Sequence, residues 1–122
     1  MKQDYAMIDG TLTVAEALES IGDSTVQTFI VEKRHDDDEF GIVQMSDIAK
    51  QVLAQDRSPE RVNIYEIMSK PVISVDATMD VRYSARLFLK FGLKRAPVVQ
   101  DGKIIGMLGF SSMVFGGLSG RR

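Results

Sequence analysis

The residue types that do chemistry most readily are scarce in this chain and poorly spaced for it. There is no cysteine, which excludes thiol catalysis, thiolate metal sites and disulfides. The single histidine stands in Glu32-Lys33-Arg34-His35-Asp36-Asp37-Asp38-Glu39, the most polar stretch of the chain. An imidazole beside carboxylates suggests a divalent metal, but consecutive acids do not converge on one ion, and the spaced acids of an EF-hand loop are absent. The stretch therefore reads as a solvated loop with no metal. No Gly-Lys-Ser/Thr phosphate loop occurs, and no two carboxylates form a recognisable acid–base pair. The expectation is a protein that is not an enzyme. One charge array is regular: Arg82, Arg86, Lys90 and Lys94 recur every four residues, which puts them along one side of a helix. Such a stripe is either a solvated face or a surface for an acidic partner.

The elements that must position these residues come twice. Met7-Ile8-Asp9-Gly10-Thr11-Leu12-Thr13-Val14 stands 67 positions before Ser74–Val81, and Gly41-Ile42-Val43 stands 65 before Gly106-Met107-Leu108. Each copy predicts a short strand, an Asp/Thr turn, a helix, two antiparallel strands and a final helix, in a mixed α+β fold. Thr13 with Glu16 is a capping box, and Val14, Ala17, Leu18 and Ile21 give its helix one buried stripe. A strand over Val26–Val31 leads through the polar loop to a returning strand at Phe40–Gln44. Ser46 or Asp47 then caps a helix running to Gln55. In the second copy, Asp101-Gly102 is a strong two-residue hairpin signal. Its helix, over about 79–91, carries two apolar stripes, Val81/Ala85/Phe88/Gly92 and Tyr83/Leu87/Phe91. Two apolar faces need two partners, so Tyr83, Leu87 and Phe91 are expected in a homodimer contact. Gly116-Gly117 is expected to end the last helix. The repeats are placed at 1–55 and 63–116, with a linker at 56–62 and a flexible tail at 117–122.

Charge divides the same way. Residues 1–61 hold 6 Lys/Arg and 13 Asp/Glu, net −7, whereas residues 62–122 hold 9 and 4, net +5. The contrast is either drift of surface charge or a means of docking the halves. The overall −2 disfavours a generic nucleic-acid binder. No apolar run reaches 18 residues, so no membrane span is expected. With no leader pattern in the opening residues and no cysteine, the expected compartment is the cytoplasm.

The order and spacing of Tyr65-Glu66-Ile67-Met68-Ser69-Lys70-Pro71-Val72, Arg95-Ala96-Pro97-Val98-Val99 and Gly41-Ile42-Val43-Gln44-Met45-Ser46-Asp47-Ile48 resemble the CBS domain family. Two copies in tandem are similar to the CBS pair called a Bateman module, two βαββα repeats in a pseudo-two-fold arrangement. Lys2–Ala6 lacks a counterpart of Ile67-Met68, so either that turn is degenerate or the chain is a fragment of a longer protein.

The resemblance implies a regulatory module that senses an adenosine-type ligand (AMP, ADP, ATP, S-adenosylmethionine or NAD) and passes its state to a partner or fused domain. The alternative is a dimerisation or protein-interaction module with empty clefts. The family pattern of Gly, two apolar residues, Ser/Thr, two residues and Asp falls on Gly41–Asp47 and Gly106–Ser112. The resemblance makes Asp47, with Gln44 and Ser46, the ribose site, and Met68, Pro71, Val72 and Ile73 the apolar wall for the base. In the second copy Gly109 and Ser112 replace Ser/Thr and Asp. Lys94 and Arg95 there, with Ser112, are implied as a phosphate or anion site, and Gln27-Thr28 are their counterparts in the first copy. Asp47 also has a plainer role open to it, as a helix cap.

Overall fold

A computed structural model describes residues 4–22 and 24–119. The elements are β1 (Tyr5–Ile8), α1 (Val14–Ile21), β2 (Thr28–Val31), β3 (Gly41–Gln44), α2 (Met45–Ile48, continued as a π-helical stretch Ala49–Leu53), α3 (Ile64–Ile67), β4 (Val75–Asp76), α4 (Val81–Phe91), β5 (Arg95–Gln100), β6 (Lys103–Gly109) and α5 (Phe110–Ser119). Sheet order is β1-β2-β3 and β4-β5-β6, the first pair of each parallel and the second antiparallel. The fold is therefore α+β, with the expected βαββα order in both copies.

Both copies start their first helix by the same device. Asp9 accepts from the N–H and hydroxyl of Thr11, each at 2.8 Å, and Thr13 caps α1 in a capping box with Glu16. Sixty-seven positions on, Asp76 accepts from Thr78 at 2.8 and 2.6 Å, and Asp80 caps α4 through the N–H of Arg82 at 2.8 Å. A short polar side chain that folds back onto the N–H two residues ahead makes such a turn without help from distant contacts. Gly92 ends α4 in the left-handed conformation. Asp101 and Gly102 both have positive φ, 53° and 77°, as a type I′ hairpin turn requires.

The chain forms two compact units, Met1–Val72 and Ile73–Arg122. The first unit's core is Ile8, Val14, Phe29, Val43, Ile48 and Val52, joined by Val62, Ile64 and Ile67. The stretch 63–72, which the sequence repeat assigns to the second copy, is thus built into the first unit. Its backbone is tied there. Ile64 N–H donates to Leu12, Tyr65 N–H to Gly10, Val72 N–H to Phe40, and Ser69 and Ile42 exchange both bonds. The division falls between Val72 and Ile73, beyond the polar segment 56–62.

The second unit closes over Val75, Phe88, Ala96 and Met113, with the Phe88 and Phe110 rings edge to face at 5.4 Å. The inward face of α4 carries Val81, Ser84 and Phe88; Ala85, expected inside, is exposed. Leu87 packs partly on its own core, which leaves Tyr83 and Phe91 as the exposed members of the expected contact stripe. Two boundaries differ from expectation. Gln44 caps α2, two residues ahead of the expected Ser46, because Asp47 reaches back as its third residue. And α5 continues through Gly116-Gly117 to Ser119, since glycine weakens a helix by about 1 kcal/mol without forbidding it. Gly120, Arg121 and Arg122 of the expected tail lie outside the described residues.

Candidate functional site

In the first unit, β3 ends beside the start of β2: Gln44 pairs with Thr28, and Met45 N–H donates to the Gln27 carbonyl at 3.1 Å. Met45, Ser46 and Asp47 open α2 at that edge. One carboxylate oxygen of the half-buried Asp47, Oδ2, accepts the Gln44 N–H at 2.8 Å; the other has no partner among the described residues. Asp47 is therefore not the N-cap that its plainer role would make it: it is the third residue of α2, reaching back to the N-cap Gln44, and that bond fixes the carboxylate rather than consuming it. Gln27, Thr28, Gln44, Ser46 and Asp47 all come from this edge.

The second unit repeats this corner with different chemistry. Arg95 pairs with Gly109, and Ser112 is the third residue of α5, as Asp47 is of α2. Strand register also equates Arg95 with Thr28, and so Lys94 with Gln27. One corner thus has a carboxylate among neutral polar groups, the other two cations beside a hydroxyl.

The structure does not gather all of the expected ribose and base residues. Met68 packs where a Cβ on Gly41 would meet its Sδ at 2.8 Å, and Val72 bonds to Phe40. Both stand by the start of β3, roughly 10 Å of strand from Gln44. Pro71 beside them is exposed, and Ile73, 36% exposed, opens the second unit.

That far edge holds a cavity of about 410 Å³ that sequence reasoning missed. Asp9, Thr11, Arg34, Tyr65, Met68 and Lys70 line it. Its signal in the sequence was divided, because the Asp/Thr turn and the Tyr65–Lys70 segment come from stretches assigned to different copies. Its charged groups are largely engaged. Thr11 holds the Asp9 carboxyl below its usual range through its N–H first and its hydroxyl second. Lys70 pairs with Asp38 at 2.6 Å, and this bond, with the Arg34 N–H at 2.8 Å, keeps Asp38 far below the usual carboxylate range. Among the described residues no group of three or more His, Asp or Glu is placed to hold a metal ion. No helix among them is long and apolar enough to cross a membrane.

Comparison with known proteins agrees with this architecture. Residues 64–114 match the family model described as CBS domain. An uncharacterized protein of Methanopyrus kandleri is 37% identical over 73 residues, 59% of this chain; the match spans 37% of that relative's length. A hexameric CBS-CP12 protein from bloom-forming cyanobacteria superposes with a TM-score of 0.84 at 35% identity, covering 100% of this chain and 72% of the other. A CBS domain protein of Pyrobaculum aerophilum complexed with AMP gives a TM-score of 0.73 at 19% identity, covering 91% and 84%.

Proposed function

The chain belongs to the CBS-domain family as a tandem pair of repeats, and we propose that it is a regulatory, non-catalytic module that binds an adenosine-type ligand through Asp47. The carrying observation is the Asp47 carboxylate, fixed by the Gln44 N–H through one oxygen and without a partner among the described residues at the other. An ionised carboxylate is a strong acceptor, and the two lone pairs of its second oxygen suit the two hydroxyls of a ribose. Gln44 and Ser46 flank the carboxylate. Met68 and Val72 lie along β3 from it, so a base that reaches them is directed down that strand. The AMP complex of the Pyrobaculum protein supports this ligand class. Lys94 and Arg95, beside Ser112, take the phosphate or anion of a separately bound ligand.

Titration calorimetry with AMP and ATP tests the reading. Asp47→Asn removes the charged acceptor, a loss of roughly 1.5–3 kcal/mol, and weakens binding about tenfold or more. A 2′-deoxyribose ligand also binds worse than its ribose counterpart. Wild-type protein that gives no heat with any adenine ligand sinks the proposal. Loss of binding in Arg95→Ala with none in Asp47→Asn moves the site to the second unit.

A second reading, association between copies, is favoured by one observation. The second unit exposes Tyr83, Phe91, Val114 and Phe115, each half-exposed or more. Aromatic and aliphatic surface grouped on two adjacent helices is a protein-contact surface, and the cyanobacterial relative is hexameric. The two readings are compatible, with the ligand acting on the assembled form.

A further inference from the structure

Two sets of charge on this chain are opposite in sign, and most of their members have no ionic partner among the described residues. On α4, Arg82, Arg86 and Lys90 are exposed and rise about 12 Å along the helix axis. Neither Arg86 nor Lys90 has a carboxylate partner among the described residues, Lys90 lies over the Phe91 ring at 5.6 Å, and Arg82 has only exposed Asp80 at 3.5 Å. Leu89 lies on the same arc and is 83% exposed, the most exposed large apolar side chain among the described residues. A leucine in that position is covered only by something that also accepts the cations.

The loop between β2 and β3 supplies the opposite sign. Glu32, Asp36, Asp37 and Glu39 are exposed and have no cationic partner among the described residues. The loop's own cations are drawn aside. Lys33 sits over the Phe40 ring at 4.9 Å, and Arg34 turns to Asp38. Asp38, tied to Lys70, anchors the loop, so its remaining acids are presented from a held backbone. Counted by unit, residues 1–72 hold 7 Lys/Arg and 14 Asp/Glu, net −7, and residues 73–122 hold 8 and 3, net +5.

We propose that the basic face of α4 docks on the acidic loop 32–39 of a second copy of this chain, with Leu89 covered at the contact. A basic stripe is not complementary to itself, so a two-fold α4-to-α4 contact through it is repelled. The complement of matching sign is on the other unit, which makes the contact one between unlike surfaces. It is independent of ligand binding at Asp47, and calorimetry there reports on that reading alone.

Sedimentation velocity in about 50 mM and about 500 mM NaCl tests it, because screening at the higher salt reaches within a few ångströms. Wild type associates at least about tenfold more tightly in the low salt. Arg86→Glu/Lys90→Glu loses that increment, and so does Asp36→Lys/Asp37→Lys. Combining all four substitutions restores it. All four sites are exposed, so melting temperatures stay near wild type, and Arg86→Gln/Lys90→Gln gives a milder loss if the reversals fold poorly. Salt-independent association overturns the proposal. So does loss on α4 without loss on the loop, failure of the fourfold variant to recover, or nuclease-sensitive nucleic acid bound to α4.

Discussion

Asp38 sits in a run of four acids, yet it is the one whose carboxylate is held by named donors. Its side chain is 10% exposed, and it accepts from Lys70 at 2.6 Å and from the Arg34 N–H at 2.8 Å. The sequence reads this run as uniformly solvated, because nothing local shows that Lys70, 32 positions away, folds back onto it. The consequence is pH-dependent. The Lys70 bond foremost, then backbone donors, depress the folded-state pKa below the unfolded value near 4. The stabilisation is therefore fully present above about pH 5 and is lost as pH falls below 4 toward the folded value. Asp38→Asn should lower the melting temperature at pH 7, and its gap from wild type should shrink steadily between pH 5 and pH 2. Asp36→Asn, exposed and unpaired, should show no gap at any pH. Equal behaviour of the two variants would mean that Asp38 is solvated after all.

At the scale of elements, two equivalent glycines have different duties. Gly41 and Gly106 begin the matching part of β3 and β6, pairing with Val31 and Val98. A Cβ on Gly41 would meet Met68 Sδ at 2.8 Å and the Ser69 carbonyl at 3.4 Å, whereas one on Gly106 meets nothing within 4 Å. The first figure concerns a flexible side-chain end, but the second concerns backbone that exchanges two hydrogen bonds with Ile42. Gly41→Val should cost about 1–3 kcal/mol, as overpacking does, and Gly106→Val should stay within about 0.5 kcal/mol of wild type. Urea unfolding monitored by circular dichroism separates them; equal losses would mean that Met68 and Ser69 yield. What was legible here follows from what is local. The Asp9/Thr11 and Asp76/Thr78 turns, the Thr13 cap and the Asp101-Gly102 hairpin are each set by residues a few positions apart, and all stand as read. That residues 63–72 complete the first unit is a long-range choice, made by Val62, Ile64 and Ile67 finding the core of α1 and β2. A repeat period gives each copy its order of elements but not which copy buries a segment at the boundary. The candidate site divides likewise. The corner of Asp47 and Gln44 is one strand end and one helix start, so a local pattern is enough for the family resemblance to point to it, although spacing alone put the helix cap at Ser46 or Asp47 rather than Gln44. The cavity at the opposite edge needs the Tyr65–Lys70 segment in a place that spacing assigns elsewhere.

The whole molecule presents two faces of α4 to its surroundings, and they should answer to different conditions. One is the basic arc with Leu89. The other continues through Tyr83, 61% exposed, and Phe91, 50% exposed, towards α5, where Val114 and Phe115 are 55% and 70% exposed. Phe88 and Phe110 pack α4 against α5, so the two helices need not be brought together when a partner arrives, which lowers the ordering cost of a contact there. Leu87 is the wrong probe of it, since its side chain also packs on Phe88's core and a charge there would loosen the unit itself. Tyr83→Glu/Phe91→Glu is the cleaner change. About half of each side chain remains to be covered, worth roughly 1 kcal/mol apiece, and introducing charge adds to the loss. The double variant should weaken association by about a hundredfold while its melting temperature at low protein concentration stays near wild type. Light scattering at about 500 mM salt isolates this contact, because ionic contacts are screened there and apolar ones are not. A wild-type protein that remains monomeric at high concentration in that salt would refute the apolar contact, and any association appearing only at low salt would then belong to the basic arc alone.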